Sequence, residues 1–147
     1  MSSNGNGNGR RRVVITGLGA VTPIGNDVDT TWANLLAGES GAGEITRFDH
    51  ADYAVHFACE LKDFDPGDWI DRKQARRMDR FAQIIVAAAR QAEADSGIDI
   101  ANEGDRIGAS VATGIGGIQS FQDCYDILIT RVSLASPSGV EVPCALM

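Results

Sequence analysis

An unbroken run of β-branched residues, Val13-Val14-Ile15-Thr16, follows three arginines and stops at Gly17. A continuous run of this kind predicts a strand buried on both faces. Gly17, Gly19, Pro23 and Gly25 then make a turn-rich loop. A helical pattern begins after Asn26 and Asp27, either of which can cap it. Val28, Trp32, Leu35 and Leu36 fall on one face, and Gly38 stands where a C-terminal cap belongs. Residues 39–64 are irregular, with a candidate strand over 55–61. Asp65-Pro66 signals a helix start, with proline at the first helical position. A longer helix is predicted over 71–96, with Met78, Phe81, Ile85, Ala88, Ala89 and Ala92 as its apolar stripe and Gly97 as its end. Residues 107–113 repeat the buried-strand pattern, Gly114, Gly116 and Gly117 follow, and 118–131 form a third helical stretch. The order β, α, (β), α, β, α predicts an α/β fold with some parallel pairing.

Length and composition narrow the class. The 147 residues suit one domain, and 44% apolar with 22% charged residues is ordinary for a globular chain. Residues 1–9 are Ser, Asn and Gly after the initial Met. They are expected to be a flexible tail rather than a secretory signal or an Arg-rich transit peptide. No apolar stretch approaches the roughly 18 residues that span a bilayer. A net charge of −7 argues against non-specific nucleic-acid binding. Cys59, Cys124 and Cys144 are odd in number and widely spaced, which excludes a complete disulfide framework and a CxxC metal site. A reducing, cytoplasmic compartment is the expectation.

The charge is uneven. Arg72, Lys73, Arg76, Arg77 and Arg80 crowd five of the 13 basic residues into one predicted helix. Like charges one turn apart repel, a cost accepted more readily if they meet an acidic partner. A solvated helix face is the competing explanation. Gly17-Leu18-Gly19 after a strand opens like a dinucleotide fingerprint, but Thr22 replaces the third glycine and Pro23 follows it, so a nucleotide site is not expected. Gly114-Ile115-Gly116-Gly117 lacks the Lys-Ser/Thr of a P-loop. Close packing or positive φ explains it better than a phosphate nest. His50 lies in a polar loop and His56 among apolar neighbours. Cys59 and Cys124 have the flanks of small buried residues, and no nucleophile–base pair is visible.

Taken together and in order, these stretches resemble the condensing-enzyme family, in its β-ketoacyl-acyl-carrier-protein synthase II branch. The resemblance rests on Arg11-Arg12-Val13-Val14-Ile15-Thr16-Gly17-Leu18-Gly19, Thr22-Pro23-Ile24-Gly25-Asn26 and Leu36-Ala37-Gly38-Glu39-Ser40-Gly41. It continues through Phe48-Asp49 with Tyr53, Arg72-Lys73, Arg76-Arg77-Met78-Asp79-Arg80-Phe81, Arg106-Ile107-Gly108 and Thr113-Gly114-Ile115-Gly116-Gly117. It covers roughly residues 10 to 130. It implies the N-terminal part, incomplete, of a thiolase-like layered α/β fold, whose two similar halves stack as helix, sheet, helix, sheet, helix and pair as a homodimer. It implies acyl transfer from acyl-carrier protein to a cysteine, then decarboxylative condensation with malonyl-acyl-carrier protein, without metal or organic cofactor. It also carries two sets of positions. Lys73, Arg76 and Arg77 match the residues that dock the acidic carrier protein, and Ile115 matches one lining the acyl-chain pocket.

The family's catalytic cysteine and two histidines are expected beyond Met147, so no catalytic residue is assigned within the chain, and the isolated chain is predicted to be inactive. Cys144 lacks the Thr-Ala-Cys setting of the nucleophile. Residues 131–141 depart from the family pattern, whereas Val142-Pro143 returns to it. Two classes stay open: part of a working synthase, with an aromatic-polyketide ketosynthase as the near alternative, or a non-catalytic product that only binds carrier protein.

Overall fold

The computed structural model describes residues 12–134, with side chains as far as residue 130. The expected tail, the first two arginines, Cys144 and residues 135–147 lie outside the described residues. Helix α1 spans Val28–Ala37. Asp27 caps it by accepting from the Thr30 amide at 2.7 Å, and Gly38 closes it at φ 76°. A short antiparallel pair follows, β1 at Gly43–Glu44 and β2 at Phe57–Ala58, in register Gly43↔Ala58. The second strand lies within the predicted 55–61 span. A 3₁₀ turn at Pro66–Asp68 is capped by Asp65, as its Asp-Pro signal predicts. Helix α2 is Arg72–Ala75, α3 is Arg80–Ser96, α4 is Ile100–Glu103 and α5 is Ile118–Leu134.

The packed centre is small. Phe64, Ile70, Ala75 and Ala87 are the buried apolar side chains among the described residues. They join the 3₁₀ turn, α2 and the middle of α3. The chain over 17–26 is laid onto α3. Leu18 N donates to Asp95 Oδ2 at 2.9 Å, Ala20 N donates to Gln91 Oε1 at 3.1 Å, and Gln91 Nε2 donates to the Asn26 carbonyl at 2.8 Å. A β-carbon on Gly19 would collide with the Ala88 carbonyl, so this approach requires glycine there. The Leu18 and Ala20 amides are thereby taken up by side chains of α3.

Three expectations are corrected. Residues 13–16 and 107–113 are not strands: Val13 is 94% and Ile15 83% exposed, and neither run has a ladder partner among the described residues. A β-branched run becomes a strand only when another strand takes its amides and carbonyls. Second, the helix predicted over 71–96 is broken between α2 and α3. Asp79 adopts φ −62°, ψ 155°, and Gln83 Nε2 fills the gap by donating to the Ala75 and Met78 carbonyls at 2.8 and 3.2 Å. Third, the buried residue of α3 is Ala87, whereas Ala89 of the expected stripe is exposed. Helix α4, capped by Asp99 on the Asn102 amide, lacked a periodic signal because it is a single turn.

Candidate functional site

The basic cluster sits on the break rather than along one helix. Asp71 caps α2 through the Lys73 and Gln74 amides, and buried Ala75 anchors the turn from below. Arg76 and Arg77 continue it in tightened turns, with Arg77 N donating to the Gln74 carbonyl at 2.9 Å. Lys73, Arg76 and Arg77 are all exposed, and no described carboxylate lies within ion-pair distance of any of them. The break thus presents three exposed cations with no ion-pair partner among the described residues. Arg80 has left the row. Its guanidinium lies 4.6 Å over the Phe64 ring, and Nη2 donates to the Phe64 carbonyl at 3.4 Å.

Beyond the corner, the first turn of α3 meets the start of α5. Asp79, Arg80 and Phe81 here line a cavity of about 250 Å³ with Ile115, Ile118 and Arg47. Gly116 and Gly117 shape it. A β-carbon on Gly116 would stand 3.1 Å from Phe81, and Gly117 adopts φ 77° before α5 begins. The packing explanation therefore holds at Gly116 and Gly117, whereas a β-carbon on Gly114 would meet open space. Asp79 accepts from the Ser120 hydroxyl and ties the two helix starts together. Ile115 is 76% exposed at the rim of this cavity. Lys73, Arg76 and Arg77, just before Asp79 in the chain, and Ile115, which lines the cavity with it, are thus brought to one end of α3.

The histidines form a pair that sequence inspection missed. Their rings meet at 2.9 Å through Nδ1 atoms, and His50 Nε2 stands 3.6 Å from a Glu44 carboxylate oxygen. Five residues of irregular chain separate them, and no periodicity announces the contact. Each ring therefore partners the other rather than a nucleophile. Cys59 is exposed and free, against the expectation of burial, and Cys124 is half-buried on α5 and already bonded. No group of three or more His, Cys, Asp or Glu among the described residues is placed to hold a metal ion. No helix among them is long and apolar enough to cross a membrane.

Residues 10–142 match the family described as Beta-ketoacyl synthase, N-terminal domain. A curated relative from Staphylococcus aureus (strain COL), 3-oxoacyl-[acyl-carrier-protein] synthase 2, is 52% identical over 82% of this chain and 30% of its own length. The protein of the same name from a Synechocystis strain is 47% identical over 94% of this chain and 34% of its own. The chain thus spans about a third of these relatives. Among solved structures, the ishigamide ketosynthase/chain length factor superposes with a TM-score of 0.71 at 36% identity. The match covers 87% of this chain and 32% of that one. A type II polyketide-synthase ketosynthase, solved bound to a hexaketide and in complex with its acyl-carrier protein, superposes at 0.63 with 27% identity. It covers 87% of this chain and 35% of that one.

Proposed function

The chain belongs to the β-ketoacyl synthase family, and from that premise we propose that it serves a 3-oxoacyl-acyl-carrier-protein synthase of fatty-acid elongation. In the proposed reaction an acyl group leaves its carrier thioester for a cysteine thiolate. Malonyl-acyl-carrier protein then loses carbon dioxide, and the resulting enolate carbon attacks the acyl-enzyme, releasing the cysteine and forming the 3-oxoacyl product. The described residues offer no nucleophile–base pair for these steps. Their share is to receive the carrier protein and to shape the start of the acyl pocket.

The observation that carries the docking role is the corner of Lys73, Arg76 and Arg77, three exposed cations without a described counter-charge on a chain of net charge −7. An acidic helix meeting that corner gains both steering and orientation. Ile115, at the rim of the cavity, is assigned to the acyl pocket. A homodimer and a cytoplasmic location accompany this reading, with no metal or organic cofactor. A second reading, a polyketide ketosynthase, draws on the two solved structures. The higher identity of the fatty-acid relatives, 52% against 36%, favours the first.

Reversing Arg76 and Arg77 to Glu tests the docking role. Binding of acyl-carrier protein at low salt should weaken at least about tenfold, and the deficit should shrink as salt screens exposed charges beyond about 8–10 Å. Unchanged affinity by calorimetry at low salt would show that the corner is a solvated face.

A further inference from the structure

We infer that Gln83, on α3, is the positioning residue of the carrier-protein docking surface: its side-chain amide holds Arg76 and Arg77 in one placement before any partner arrives. The inference rests on the docking role proposed above and deepens it. In the chain, Arg76 and Arg77 lie between Ala75 and Met78. The Gln83 Nε2 group has two protons to give, and it donates to the carbonyls of both flanking residues, at 2.8 and 3.2 Å. The segment that carries the two cations is thus pinned at each end by one side chain of the following helix. The backbone bonds within it are local. Arg77 N donates to the Gln74 carbonyl at 2.9 Å, and Met78 N donates to the Ala75 carbonyl at 3.1 Å. They shape the turn without tying it to α3. Ala75 is buried at the packed centre, but apolar burial has no direction. The amide supplies the direction.

The segment needs such a fastening. Arg72, Lys73, Arg76 and Arg77 crowd one sign of charge into two turns, and their repulsion favours fraying. Two bonds from Gln83 oppose it. Long arginine side chains also lose freedom when they dock, and a backbone fixed in advance leaves less to be ordered at that moment. Lys73 is held differently. It stands on the far side of Ala75, where Asp71 caps α2 by accepting from the Lys73 amide at 2.9 Å. Gln83 therefore acts on Arg76 and Arg77 and leaves Lys73 as it is.

The test measures binding of acyl-carrier protein to the full chain by calorimetry, at low salt so that weakened variants stay measurable. Gln83→Met has the same length and no amide donor, and should weaken binding about fivefold. In a chain that also carries Lys73→Ala the fivefold effect should persist. In one that carries Arg76→Ala and Arg77→Ala it should shrink below about twofold, because the groups it positions are gone. A substitution that only unfolds part of the sample would lower affinity by the same factor in every background, and that result would overturn the inference. Thermal melting sets the titration below the transition of each variant. If Gln83→Met does not fold, Gln83→Asn, whose amide stops short of the carbonyls, takes its place with the same expectations. If the Arg76→Ala, Arg77→Ala chain binds as the unaltered chain does, the docking role falls and this inference with it. If that chain is weakened and Gln83→Met is not, only this inference falls.

Discussion

Residues 62–97 and the runs 13–16 and 107–113 all carry large apolar side chains, yet those side chains end in opposite environments. In the first region Phe64, Ile70, Ala75 and Ala87 are 8%, 4%, 7% and 0% exposed. In the second, Val13, Ile15 and Val111 are 94%, 83% and 62% exposed. The difference is in what each needs. A helix satisfies its own backbone, so α3 requires only a surface to lie on, and the turn of 65–70 supplies it. A strand needs a neighbour for every amide and carbonyl, and among the described residues none is offered to 13–16 or 107–113. Burial follows pairing here, rather than hydrophobicity alone.

The contrast should be largest for a large side chain deleted from each region. Phe64→Ala removes a buried ring and the platform under Arg80. The cost should be about 3–5 kcal/mol, scaled by how far the small core collapses around the gap. Ile15→Thr, at a side chain already in water, should change stability by no more than about 0.5 kcal/mol. Denaturant unfolding followed by far-ultraviolet circular dichroism compares the two. Equal losses would mean that 13–16 is buried in solution, and the contrast between the regions would disappear.

Glycines sharpen the comparison at a smaller scale. Gly19→Ala places a methyl group against the Ala88 carbonyl and should cost about 1–3 kcal/mol by forcing the loop off α3. Gly108, in the 107–113 run, has open space where a β-carbon would stand. Gly108→Ala should be neutral, or stabilising by about 0.4–1 kcal/mol through the unfolded chain. The same denaturant series reads both, and a Gly108→Ala loss as large as that of Gly19→Ala would place unseen packing around residue 108.

Local chemistry was the legible part of the sequence. Asp27, Gly38, Asp65-Pro66 and Gly97 mark the ends of elements because a cap needs only its own neighbours. The break at Asp79 was not legible. It depends on Gln83 reaching back to two carbonyls, which the uninterrupted helical composition of 71–96 conceals. The two strand predictions failed for the related reason that pairing is non-local. The family likeness, and with it the thiolase-like layered α/β fold to which these elements belong, was legible through joint order and spacing. Lys73, Arg76 and Arg77 could be picked out by their single sign. Arg47 could not, since it reaches Arg80 across 33 positions of irregular chain and helix.

The smallest expected effect lies at the cap of α1, where the comparison reduces to one carboxylate. Asp27 accepts from the Thr30 amide and hydroxyl at 2.7 and 2.8 Å. These bonds, the amide first, lower its pKa from the ordinary 3.8, against a small opposing effect of burial. A group whose folded pKa is depressed contributes stability above its unfolded pKa and loses it as pH falls through the folded value. The Asp27 contribution should therefore be full at neutral pH and decline only below 3.8. Asp27→Ala should cost about 0.5–2 kcal/mol at neutral pH, nearer the lower figure because the site is open to solvent and screened. Asp27→Asn keeps the capping acceptor and removes the titration. It should match the unaltered chain at neutral pH to within a few tenths of a kcal/mol, and fall less than that chain on acidification. Urea midpoints for the three chains at neutral pH and below pH 3.8 separate these outcomes. If Asp27→Asn lost as much as Asp27→Ala at neutral pH, the cap would act through its charge on the helix dipole. The Thr30 bonds would then not be what holds the start of α1.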